Sequence, residues 1–149
     1  IIINCTKAAA HFLGASHAHL RAAPTETVLD TQCDGKPVWQ WLLHKVEISK
    51  QPALVITEVD TRFSMVFSLL EAGKPDVFEQ LFIERWTHHI LARNIDYQLC
   101  GLPALKKMLD AFAQQSNTVY CQRGDRSTQA VVNDIAWHFE NQGRQKSSG

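Results

Sequence analysis

The chain lacks long apolar segments, net charge and the common catalytic motifs. Its 15 basic and 15 acidic residues cancel, so no overall field draws it toward phosphate backbones or anionic lipid surfaces. Its uninterrupted apolar runs, such as residues 1–3 and 81–83, are far shorter than the roughly 18 residues of a membrane-spanning helix. We therefore expect no membrane segment, and nucleic acid is a disfavoured partner.

No phosphate-binding glycine loop, no G-x-S-x-G nucleophile turn and no H-E-x-x-H zinc pattern occurs in the sequence. The closest histidine groupings are His17 with His19 and the adjacent pair His88 and His89. Neighbours on a helix point about 100° apart, so an adjacent pair does not converge on one ion. The sequence therefore predicts no metal site and no cofactor.

The four cysteines, Cys5, Cys33, Cys100 and Cys121, form no C-x-x-C pair. Such spacing gives neither a zinc knuckle nor a thioredoxin-type motif. Reduced, mostly buried thiols in the cytoplasm are our leading interpretation, and two disulfides in an exported protein are the alternative.

With 149 residues, 45% of them hydrophobic, the chain can build one core without staples. We expect a single domain over residues 1–142 and a flexible polar tail over residues 143–149.

In three consecutive segments the side chains alternate between two faces, as in β-strands joined by short turns. They cover residues 39–48, 53–58 and 62–70. Helical periodicity marks four further segments, residues 7–13, 76–94, 102–115 and 127–141, with Asp76 as a predicted cap. Short strands are expected near residues 1–5 and 117–122, and residues 15–37 form a long irregular connection. The pattern predicts an α+β fold, an antiparallel sheet built on a three-strand meander, with helices packed mainly on one face.

Histidine and arginine side chains provide one candidate catalytic pocket. His44 lies on an otherwise apolar strand face, and His89 and Arg93 continue the apolar line of the long helix. They could surround a substrate, but a hydrogen-bonded core histidine and cations placed at a helix C-terminus explain the same pattern.

The last helix carries two further candidates. Asp134 and His138 are four residues apart, the spacing at which a carboxylate can orient an imidazole, although such pairs are also common on helix surfaces. Trp137, Asn133 and Ala130 project from the other side. This side is a candidate interface, or else Trp137 packs under the tail.

The segment before that helix is a candidate anion site. Arg123, Arg126 and Ser127 stand where free backbone N–H groups and the helix dipole can hold an anion. Simple capping of the helix, with solvated arginines nearby, is the alternative.

Three short motifs stand out: residues 2–7 (IINCTK), residues 61–64 (TRFS), and Arg126-Ser127 together with Asn133-Asp134-Ile135. Together they resemble a small, uncharacterised bacterial domain family of the kind encoded by mobile integron cassettes. The resemblance implies an α+β fold and a bacterial cytoplasmic setting, and it supplies no activity.

These observations favour a non-enzymatic binding or interaction domain that self-associates as a homo-oligomer or binds a protein partner. The alternative is a small enzyme or small-anion-binding protein with its pocket near His44, His89 and Arg93.

Overall fold

The structure is a computed structural model that describes residues 1–14, 21–22, 32–33, 36–37, 39–114, 118–122 and 126–146. The helices are α1 Lys7–Leu13, α2 Pro75–Tyr97, α3 Leu102–Gln114 and α4 Arg126–Lys146. The strands are β1 Ile2–Cys5, β2 Arg21–Ala22, β3 Gln32–Cys33, β4 Lys36–Pro37, β5 Gln40–Ile48, β6 Gln51–Glu58, β7 Ser64–Ser68 and β8 Val119–Gln122.

The predicted meander is present and forms half of a larger sheet. Strands β5, β6 and β7 pair antiparallel in sequence order. Strand β1 joins this meander parallel to β5, and β8 and then β2 continue the parallel half, giving the order β2-β8-β1-β5-β6-β7. The α+β prediction is confirmed, and the sheet is mixed because β1 and β8 are followed by helices and long connections rather than hairpins.

Strand alternation divides the sheet into two faces. Trp41 and Leu43 of β5 point to the face that carries the main core, together with side chains of α1, α2 and α3. Leu42 and His44 point to the second face and are also buried. Helix α4 lies against β5, and its Val132 is completely buried outside the main core cluster. We therefore place α4 on the second face.

The main core is dominated by aromatic rings. Trp41 is inaccessible to solvent, and its ring centroid lies 5.0 Å from Phe82 and 5.1 Å from Trp86, both on α2. Edge-to-face pairs at this spacing add to the free energy gained from burying the rings. Phe112 of α3 packs on Trp39 and Trp86, so the same cluster also holds α3.

The turn between β6 and β7 is stabilised by a buried carboxylate. Glu58 Oε2 accepts hydrogen bonds from the backbone N–H groups of Asp60 and Thr61, at 3.1 and 2.6 Å, and from the Thr61 hydroxyl at 2.7 Å. Arg62 follows in the left-handed region with φ 61°. The turn presents Phe63 to α2, where the Phe63 and Trp86 ring centroids are 5.3 Å apart.

Several predicted details differ from the structure. The N-cap of α2 is Lys74, without a side-chain hydrogen bond, and the first-turn positions hold Pro75 and Asp76. Proline suits the first helical position because its missing N–H has no partner there. Leu69, within the segment 62–70 predicted as a strand, is 89% exposed because the strand ends at Ser68 and Leu69 turns to φ 62°. Helix α4 ends at Lys146, beyond residue 141, where the last helix was predicted to end.

Among the described helices, none is both long enough and apolar enough to cross a membrane.

We expect Trp86→Ala to lower the free energy of unfolding by roughly 3–5 kcal/mol, because it leaves a cavity between α2 and the sheet. Chemical denaturation followed by circular dichroism measures this change. Leu102→Ala is the control: Leu102 is 77% exposed, and an exposed substitution should change stability by about 0.5 kcal/mol or less. Equal effects of the two substitutions would contradict the central position of Trp86.

Candidate functional site

The three residues of the predicted catalytic pocket do not meet. His44 is 2% exposed and shares the second face of the sheet with Leu42, whereas α2 packs on the opposite face through Trp41. The sheet therefore lies between His44 and the α2 residues His89 and Arg93. This arrangement provides no common cavity for the three side chains.

His89 packs as a ring on the aromatic cluster. Its centroid is 4.2 Å from Phe63 and 6.0 Å from Trp86, with the His89 and Trp86 planes only 13° apart. Partial burial lowers the pKa of His89, and the nearby positive charge of Arg93 lowers it further. The neutral imidazole is therefore favoured, as expected for a residue that covers the edge of a core.

Arg93 turns away from the sheet along its own helix. Its guanidinium donates to the Tyr97 hydroxyl at 3.3 Å and lies 5.7 Å from the centre of the Tyr97 ring. Both side chains are exposed. Arg93 thus belongs to the surface at the end of α2, where Ile95, Tyr97, Leu99 and Leu102 are also exposed.

The predicted interface residues lie on the outward surface of α4. Trp137, Asn133 and Ala130 are all exposed, and we call this set the α4 outer surface. Gln129 Nε2 donates to Asn133 Oδ1 at 3.0 Å, and Asn141 Nδ2 donates to the Trp137 carbonyl at 3.1 Å. These bonds order the polar side chains around the indole.

Asp134 and His138 are also exposed on α4. The His138 ring packs edge-on against Trp137, with centroids 5.0 Å apart. Within the described side chains of α4, no hydrogen bond joins Asp134 to His138.

The predicted anion site is only partly described. Arg123 lies outside the described residues, and Arg126 and Ser127 are described as the first backbone positions of α4, without their side chains. The sheet places this helix start near the carboxyl ends of β1 and β8, because Cys5 pairs with Gln122 in parallel register. Helix α1 starts at the same edge, two residues after Cys5, with Thr6 Oγ1 accepting from the Ala9 N–H.

One further concave surface was not predicted. A groove of about 580 Å³ lies between α1, β5 and the segment before α2. Its lining consists of Ala8, His11, Phe12, Gly14, Lys45, Ala72 and Gly73. Gly14 directly follows α1, and Gly73 lies just before α2. Both have positive φ angles, 67° and 75°, and their mutual contact could not be inferred from the sequence.

The described residues contain no group of three or more histidine, cysteine, aspartate or glutamate side chains that could hold a metal ion. His17 and His19 lie outside the described residues.

No curated protein and no solved structure is significantly similar to this chain. Residues 2–148 match a protein family described as a domain of unknown function, DUF6933. This match covers nearly the whole chain, and it is consistent with the resemblance to an uncharacterised family. The chain is a member of the DUF6933 family.

Proposed function

We propose that this protein is a non-enzymatic interaction domain that self-associates through the α4 outer surface. The observation that carries the proposal is Trp137, which is 61% exposed on a helix whose other side is anchored by the fully buried Val132. Tryptophan is enriched among the residues that dominate the energetics of protein interfaces. A large indole on a fixed helix can bury its area against a partner at low conformational cost.

The neighbours of Trp137 suit a helix-to-helix contact. Ala130, two turns earlier on the same side, leaves room for an approaching backbone or side chain, and Asn133 supplies a polar contact between them. In a two-fold dimer the same surface is used twice, so each favourable contact is made twice. The neutral net charge of the chain leaves no long-range repulsion between copies to overcome.

We expect a monomer–dimer equilibrium that Trp137→Ala weakens by about 30-fold or more in Kd, since an interface tryptophan contributes about 2 kcal/mol or more. Sedimentation equilibrium over a dilution series measures the two dissociation constants.

Leu102→Ser is the matched control, because Leu102 is 77% exposed on a different surface at the start of α3. It should leave the dissociation constant unchanged. If the wild-type protein stays monomeric at millimolar concentration, or if only Leu102→Ser dissociates it, the α4 outer surface is not the interface.

A second candidate function, binding of a small anion, has support from the sheet topology. In open sheets with parallel strands, ligands bind outside the carboxyl ends of strands whose following connections go to opposite faces. Strands β1 and β8 are such neighbours: α1 follows β1 on the main-core face, and α4 follows β8 on the second face. The N-terminus of α4, with Arg126 and Ser127, would supply N–H donors and positive charge.

We expect millimolar inorganic phosphate to raise the thermal midpoint above that in chloride of equal ionic strength, because a ligand that binds the native state stabilises it. Arg126→Ala should remove this rise, whereas Arg93→Ala, at the end of α2, should retain it. Differential scanning fluorimetry measures the midpoints. A rise that persists in Arg126→Ala would contradict a site at the start of α4.

We also propose that the family setting is bacterial and the location cytoplasmic. Thiols without a disulfide at the buried Cys5 and the exposed Cys100 support a reducing compartment. Cys5 and Cys121 cannot pair with each other without rearrangement, because Cys121 is in register with Asn4 and therefore points to the opposite face from Cys5. Burial, reinforced by Cys121, raises the pKa of the Cys5 thiol to about 12.

We expect N-ethylmaleimide to modify the exposed Cys100 in the native protein, and to modify Cys5 and Cys121 only after denaturation, because burial blocks access and the protonated thiol is a weak nucleophile. Peptide mass spectrometry locates the modified residues. An intact mass lowered by the hydrogens of two disulfides, in protein purified without reductant, would contradict the cytoplasmic proposal.

A further inference from the structure

The groove between α1, β5 and the segment before α2 has the size of a small-molecule site. Its volume of about 580 Å³ falls within the range of roughly 300–1,000 Å³ that ligand pockets occupy. It is built from three separate parts of the chain: His11 of α1, Lys45 of β5, and Gly73 just before α2. A concave surface assembled from distant segments is preserved only while the fold is intact.

Two glycines fix one wall of the groove. The Gly73 N–H donates to the Phe12 carbonyl at 2.9 Å, and a Cβ on Gly14 would lie 3.1 Å from the Gly73 Cα. Gly14 also has φ 67°, the left-handed conformation that favours glycine at a helix C-cap. A Cβ on Gly73 would meet no atom within 4 Å. The backbones of Gly14 and Gly73 are therefore closely packed against each other, and the space on the side of Gly73 where a Cβ would lie is open.

The polar side chains that line the groove are basic. They are His11, which is exposed, and Lys45, which is half-buried with its ammonium 6.0 Å from the centre of the Phe12 ring. Glu47 and Glu71 are nearby in sequence, but both are exposed and neither lines the groove. Within the described residues, Lys45 has no ion pair with a carboxylate. Its charge is available to a ligand.

The carboxyl end of α1 opposes an anion only weakly. Its last carbonyls carry partial negative charge, yet those of Ala10 and His11 accept from the Gly14 N–H, and that of Phe12 accepts from Gly73. The partial charge is thus partly compensated by hydrogen bonds. The formal positive charge of Lys45 is larger than the partial negative charge that remains on these carbonyls, because a helix end carries only roughly half a charge.

We propose that this groove binds a small organic carboxylate with a compact apolar body. The carboxylate would pair with Lys45 and His11, and the body would lie against Phe12, Ala8 and Ala72. Apolar walls with a few placed polar groups are typical of small-molecule sites. The proposal is independent of self-association, because α1 and Lys45 lie on the main-core side of the sheet and α4 lies on the other.

Benzoate and benzamide form the matched probe pair, since they have nearly the same shape and differ in charge. Titration of ¹⁵N-labelled protein, followed by two-dimensional NMR, gives both the affinity and the location. We expect benzoate to shift the amide signals of Gly14 and Gly73, and benzamide to bind at least about tenfold more weakly, which corresponds to about 1.4 kcal/mol.

Two variants test charge and space separately. Lys45→Met retains most of the side-chain bulk and should weaken benzoate binding at least about tenfold, whereas Lys107→Met, an exposed lysine on α3, should have no effect. Ala8→Phe should fill the groove and abolish binding while the NMR spectrum remains that of a folded protein. The proposal would be overturned if benzoate and benzamide bound equally well, or if Lys45→Met left the affinity for benzoate unchanged. It would also be overturned if millimolar benzoate shifted only the signals of other residues, or none at all.

Discussion

The contact between Trp41 of β5 and the rings of Phe82 and Trp86 on α2 holds the two main layers of the protein together. Neither the Trp41 nor the Trp86 indole nitrogen has a hydrogen-bond partner among the described residues. Their desolvation is a cost that the contact must offset. The offset comes from the large apolar area of the rings and their edge-to-face arrangement. Since α2 fixes the segment that precedes it, the position of Gly73 against Gly14 depends on this same cluster.

The position of β1 between β5 and β8 determines which surfaces the fold can use. Strand β1 is apolar except for the buried Asn4 and is bonded on both edges, as buried parallel strands usually are. The helices that follow β1 and β8 lie on opposite faces of the sheet: α1, after β1, is on the main-core face, and α4, after β8, is on the second face. The meander of β5, β6 and β7 lies to one side and carries the aromatic core. Helices α1 and α4 both begin near the edge of the sheet formed by the carboxyl ends of β1 and β8.

Local sequence patterns predicted the secondary-structure elements and which residues share a face of a strand or helix. They did not predict contacts between residues that are far apart in the chain. The four-residue spacing of Phe78, Phe82 and Trp86 is a helical pattern, and these three are the buried residues of α2, because one helix turn brings each over the next. Alternation also placed His44 with Leu42, but it could not say which face of β5 receives α2, so a pocket with His89 remained conceivable. The parallel pairing of β1 with β8 joins residues more than a hundred positions apart, and no local pattern specifies it.

The two proposed binding surfaces lie on opposite sides of the sheet. The α4 outer surface is a flat, exposed helix side with one indole, suited to another protein surface. The groove beside Lys45 is concave and basic, suited to a small anion. A dimer formed through α4 would leave the groove of each copy open to solvent, because α1 and Lys45 lie on the main-core face of the sheet and α4 lies on the other. Self-association and ligand binding can therefore occur in the same molecule without competing for residues.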